Sequence, residues 1–168
     1  KSIQVEGFRG IGPSARIDLS PTPGLVVVAG RNGSGKSTFA EALELAMTGD
    51  SYRWADRSAV WKGEWRNLHH GQPAAIRVQI AEEGRGLTTL GVDWDEQSAL
   101  EDRRAWVQRE GAKREVGLDS LGWAQALALF RPLLSYDELG GLLEDAPSKL
   151  FDALFAILGL QRVVDAQR

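Results

Sequence analysis

The sequence predicts an α/β domain, and three observations carry that prediction. A continuous β-branched run, "LVVVAG" at residues 25–30, passes through a glycine-rich stretch into a segment of helical periodicity. Apolar–polar alternation stands on both sides of this unit, at residues 2–19 and 74–95, and marks antiparallel strands. From Leu118 the chain returns to helical spacing. The 168 residues suit one globular unit, and a hydrophobic content of 43% is enough for its core.

Taken in order, "SIQVEGFRGIG" reads as a strand and a turn, "ARIDLS" as a second strand and "PTPG" as a turn. "LVVVAG" has the composition of a strand buried on both faces. Phe39, Ala42, Leu43, Ala46 and Met47 then recur at helical spacing until Gly49. Residues 50–73 hold Trp54, Trp61 and Trp65 and read as a long loop pinned by its side chains. "AAIRVQIAEE" and "LTTLGVDWDE" form a hairpin around "EGRG", and the charged stretch from Glu96 to Glu115 reads as a solvated helix or excursion. "LDSLGWAQALALF" places Leu121, Trp123, Ala124, Leu127 and Phe130 on one helix face. Ser135 with Glu138 forms a capping-box pattern, and a further helix starts near Pro147, with Leu150, Phe151, Leu154, Phe155 and Leu158 as its apolar stripe.

Composition narrows the function classes. A net charge of -3 lacks the basic excess of a protein that binds nucleic acid by bulk electrostatics. With no cysteine, neither disulfides nor thiolate metal sites can form. No apolar run reaches the roughly 20 residues that cross a bilayer, so the expectation is a cytoplasmic protein with no membrane partner. The adjacent His69 and His70 would face opposite sides of a strand and have no carboxylate cluster to join them as metal ligands.

Gly30, Arg31, Asn32, Gly33, Ser34, Gly35, Lys36 and Ser37 satisfy G-x-x-x-x-G-K-[ST] in full, between a strand pattern and a helix pattern. That spacing suits a triphosphate. Backbone N–H groups of residues 33–38, from Gly33 to Thr38, turn toward the phosphates, and the helix N-terminus adds a favourable dipole. Lys36, the candidate catalytic residue, neutralises the β and γ phosphates, and the Ser37 hydroxyl ligates magnesium. A nucleoside triphosphate with Mg2+ is therefore the expected ligand. Hydrolysis also needs an acidic residue, commonly at the end of a second buried strand. "LFRPLLSYDE", ending in Asp137 and Glu138, is a poor candidate because Pro132 forfeits a ladder hydrogen bond.

Together "IQVEGFRGIGPSARIDLS", "VVVAGRNGSGKSTFAEALELAMTG" and "LLSYDELGGLLEDAPSKLFDALFAILGL" resemble the N-terminal lobe of the SMC-type ABC ATPases, nearest to the SbcC-, RecF- and RecN-like DNA-repair ATPases. The resemblance implies a P-loop NTPase head lobe over residues 1–160, with an N-terminal antiparallel β subdomain and a C-terminal helical portion. Residues 161–168 would begin a coiled coil that continues past Arg168. It implies that the triphosphate is ATP, that a C-terminal lobe supplies the second acidic motif, that two heads form an ATP-bound homodimer, and that hydrolysis is coupled to DNA, with a nuclease as a further partner. It assigns Arg9 and Asn32 to the phosphates, and it places Tyr136 where the family carries a glutamine that senses metal and water. Two other readings remain open: a free-standing phosphotransferase using Asp137 or Asp93 as base, and an interaction module that binds ATP without hydrolysing it.

Overall fold

A computed structural model describes residues 1–19, 25–51 and 62–130 of the chain. The chain divides into two compact units, residues 1–120 and 121–168. The first is built on an antiparallel sheet. Its strands are β1 (Ser2–Glu6), β2 (Ala15–Asp18), β3 (Ala74–Glu82), β4 (Gly86–Trp94), β5 (Arg104–Arg109) and β6 (Glu115–Val116), in the order β2-β1-β3-β4-β5-β6. Helix α1 (Lys36–Thr48) packs against β1, β3 and β4.

Alternation decides which face is buried. Ile3, Val5, Ile76, Val78, Leu90, Val92 and Val107 are buried on successive strands, and the register pairs Val5 with Ile76, Val78 with Leu90, and Leu90 with Val107. The expected hairpin around residues 83–86 forms, and the two N-terminal strands pair with each other. β1 and β2 pair from Ser2–Asp18 to Val5–Ala15, and β3 and β4 pair from Ala74–Trp94 to Glu82–Gly86. The face of α1 turned inward is Thr38, Glu41, Ala42, Leu45 and Ala46, one position round from the expected stripe, so Phe39, Leu43 and Met47 are half-buried. Arg103 donates to the carbonyl of Gly49, a cation at the negative end of the α1 dipole.

Trp65 plays its expected part. It is buried with its ring 4.8 Å from that of Trp94, and Phe8 stacks on Trp94 at 5.9 Å. Trp94 Nε1 donates to the Leu100 carbonyl at 3.0 Å, so the indole is packed and satisfied. Trp54 and Trp61 lie outside the described residues, as do Ser135 with Glu138, the Pro147 helix and its stripe, and the 161–168 coiled coil.

Two expectations are corrected. The charged stretch 96–115 is not a helix: it holds a 3-10 turn at Leu100–Asp102, strand β5 and a turn into β6. β4 offers β5 an open edge, and Gly91 leaves space for Trp106 directly opposite it; a Cβ there would lie 2.1 Å from the indole. The charges hide an alternation in which Val107 faces the core while Trp106 is covered by Arg77 and Arg114, at 4.9 and 3.9 Å from its ring.

The second correction is "LVVVAG". Residues 25–30 form no strand, and Leu25, Val26, Val27 and Val28 are 89%, 54%, 73% and 48% exposed. A β-branched run reports a preference for a buried ladder, but burial requires neighbouring strands, and the six strands described here build their sheet without it.

In the second unit, α2 spans Ala124–Phe130, and the N–H of Leu127 donates to the carbonyl of Trp123 at 2.8 Å. The expected helix is thus present, but it begins after a 3-10 turn at Asp119–Leu121 rather than at Leu118.

Candidate nucleotide site

The glycine-rich loop curls between the exposed run 25–29 and the first turn of α1. Gly33 and Gly35 have φ of 80° and 84°, values that L side chains rarely adopt, and this reverses the chain into the helix. At the other glycine of the motif, a Cβ on Gly30 would lie 2.8 Å from Ser34 Oγ. Within the loop, Ser34 N–H donates to the Arg31 carbonyl at 3.2 Å, and Phe39 N–H donates to the Gly35 carbonyl at 3.1 Å.

Lys36 folds its ammonium back over the loop, donating to the carbonyls of Gly30 at 2.9 Å and Arg31 at 2.7 Å. The N-terminus of α1 carries no side-chain cap and no acidic residue in its first turn. Its N–H groups and dipole therefore face the loop uncompensated by side chains. A tight glycine cradle, a lysine ammonium and an unshielded helix N-terminus form a donor set for phosphate oxygens. Ser37 is exposed at this end, where its hydroxyl could serve a magnesium ion. No group of three His, Asp or Glu side chains suited to a metal occurs among the described residues.

Of the other predicted residues, Arg31, Asn32, Gly33 and Ser34 are exposed on the loop, while Thr38 is buried. Arg9 is brought to the same helix, with Nε 3.1 Å from Glu41 Oε2. Asp93 is not at the loop. It pairs with Arg77 and accepts from Trp106 Nε1 at 2.7 Å, and it alternates with the inward-facing Val92 and Trp94. The base proposed for a free-standing phosphotransferase is therefore committed to the outer face of the sheet. Asp137 and Tyr136 lie outside the described residues. His70, with its side chain 13% exposed, places Nε2 3.5 Å from a carboxylate oxygen of Glu6.

Sequence reasoning missed Glu41 and Asn67. Glu41 had a signal, since it interrupts the inward stripe of α1 with a charge. Asn67 had none, because its Nδ2 meets the Arg9 carbonyl, at 2.9 Å, only through the fold.

Fold and loop define a phosphate-binding α/β domain whose sheet is antiparallel. The chain belongs to the AAA domain family, which matches residues 2–119. It is 30% identical over 112 residues to the DNA replication and repair protein RecF of Stenotrophomonas maltophilia (strain R551-3), covering 65% of this chain and 25% of that protein. It is 28% identical over 124 residues to the protein of the same name from Saccharophagus degradans, covering 74% and 28%. The chain thus spans about a quarter of the length of these curated relatives. These findings support the resemblance to the N-terminal lobe of RecF-like, SMC-type ATPases. Among the described residues no helix is long and apolar enough to cross a membrane.

Proposed function

We propose that residues 1–160 are the N-terminal lobe of an SMC-like ATPase head, which takes ATP with magnesium on residues 30–38 and hydrolyses it once a C-terminal lobe is joined. One observation carries the reading most directly. A phosphate cradle is complete in its own residues, yet the run that feeds it exposes four consecutive aliphatic side chains. Such a run calls for further strands, which suits a head assembled from two lobes. The relatives' greater length leaves room for them.

In this reading Lys36 exchanges the Gly30 and Arg31 carbonyls for β and γ phosphate oxygens, and the backbone of residues 33–38 donates to them. Asn32 stands at the γ-phosphate side, Ser37 holds the metal, and Arg9 approaches from the 8–11 turn. A magnesium ion held by Ser37 would supply positive charge against the phosphate charge that develops in hydrolysis. The acidic residue that orients water comes from the C-terminal lobe. ATP then closes a homodimer of heads, and hydrolysis reopens it while the complete protein engages DNA, with a nuclease as a further partner.

The test is ATP binding and turnover by the full-length protein beside Lys36→Ala. Loss of both, with an unchanged unfolding profile, is the expected result, and turnover should require the C-terminal lobe. Turnover on a small acceptor by residues 1–168 alone would overturn the split head and favour a phosphotransferase.

A further inference from the structure

The turn Arg9–Ile11 runs antiparallel along the start of α1 in three matched steps. A side chain on Gly35 would meet Ile11 at 3.0 Å, one on Gly10 would meet Thr38 Oγ1 at 3.4 Å, and Arg9 reaches Glu41. Positions 35, 38 and 41 recur every three residues and share one helix face that begins at the phosphate loop.

The backbone of this turn is held from the other side. Arg9 N–H donates to the Trp65 carbonyl at 2.8 Å, Asn67 Nδ2 donates to the Arg9 carbonyl at 2.9 Å, and Ile11 N–H donates to the Phe8 carbonyl at 3.0 Å. Arg9 has φ of 51°, the one positive value at a non-glycine position among the described residues. A left-handed arginine between Gly7 and Gly10 persists because its surroundings over-determine it, a condition found mostly at working sites.

Glu41 meets this arginine from within the inward stripe of α1. The side chains of Arg9 and Glu41 are 14% and 7% exposed, so neither charge is well hydrated. A carboxylate buried in that stripe is costly unless a cation faces it, and the always-charged guanidinium has the same need. We propose that Glu41 is a positioning residue of the nucleotide site, which through its ion pair with Arg9 seats the Arg9–Ile11 turn on Gly35 and Thr38. The inference rests on reading residues 30–38 as the nucleotide site and names what orients that site's second cation. Without the Glu41 charge this ion pair is lost, and the turn loosens over the helix end that faces phosphate.

The experiment measures the affinity of the full-length protein for a fluorescent ATP analogue with magnesium. It compares wild type with Glu41→Gln, Arg9→Ala, the double variant, Asn67→Asp and Lys36→Ala. Glu41→Gln is expected to weaken binding about tenfold, and the double variant to lose no more than Arg9→Ala alone, because both act through one pair. Asn67→Asp keeps the acceptor for the His69 N–H but sets a carboxylate against the Arg9 carbonyl, so it should weaken binding in the same direction even where Glu41→Gln folds poorly. Unchanged or tighter binding in Glu41→Gln, or losses that multiply in the double variant, would overturn the positioning role. Lys36→Ala separates the two readings: if it also leaves binding intact, the nucleotide site itself is misassigned.

Discussion

The antiparallel sheet and the run at residues 25–29 both read as strands in sequence and meet opposite fates. The sheet buries Ile76, Leu90, Val92 and Trp94 almost completely, whereas Val27, in a more β-prone run, stands 73% exposed. The difference lies in their neighbours. Each central strand of the sheet has a partner on both sides drawn from residues 1–120, so its side chains face a core made by the same unit. Residues 25–30 share no ladder with those strands. β-Propensity is a promise of good packing on a pleated surface, and it is redeemed only where that surface exists.

The contrast can be broken first at the sheet. Trp94→Ala removes a buried indole that touches Phe8 and Trp65 and should cost about 3–5 kcal/mol, read as a shift in the urea midpoint. Next, Gly91→Ala forces the Trp106 indole off its seat and should cost about 1–3 kcal/mol. Its signature is a changed tryptophan emission, because Arg77, Arg114 and Asp93 lose their common ring.

A pH titration gives a smaller and signed effect. The Thr88 hydroxyl, followed by Arg109, holds the Glu82 carboxyl below its ordinary value of 4.5. A depressed carboxylate stabilises the fold above its unfolded pKa, and that contribution fades as pH falls through the folded value. Stability should therefore drop below about pH 4.5 less steeply in Glu82→Gln than in the wild type, by thermal melts across pH 3 to 6.

The smallest effect is the most telling. Val27→Asp should change the stability of the isolated residues 1–168 by no more than about 0.5 kcal/mol, as at an ordinary surface position. In the full-length protein the same change should lower the melting temperature and weaken ATP turnover. A large loss in the isolated chain would show that the run is packed by this chain itself.

Much of the fold was legible because it rests on local regularity. Alternation located β1 to β4, and glycine spacing with a lysine located the loop, since a tight reversal admits few residues. β5 was hidden because its outward positions carry charges that read as a solvated face until Gly91 and Trp106 are seen opposite each other. The Arg9 turn was legible as a basic residue near the loop. Its partner Glu41, 32 positions along, and its backbone support from Trp65 and Asn67 were not.

By itself, then, the sequence determined the make-up of the loop: glycines at turn positions, followed by one lysine and a serine in the spacing of a phosphate-binding motif. Periodicity and spacing are properties of adjacent residues, and they survive without the rest of the molecule. Only the tertiary structure decided which apolar run is core and which is left open, and which carboxylate meets Arg9. Burial and ion pairing depend on what arrives from elsewhere in the chain, and no local pattern carries that information.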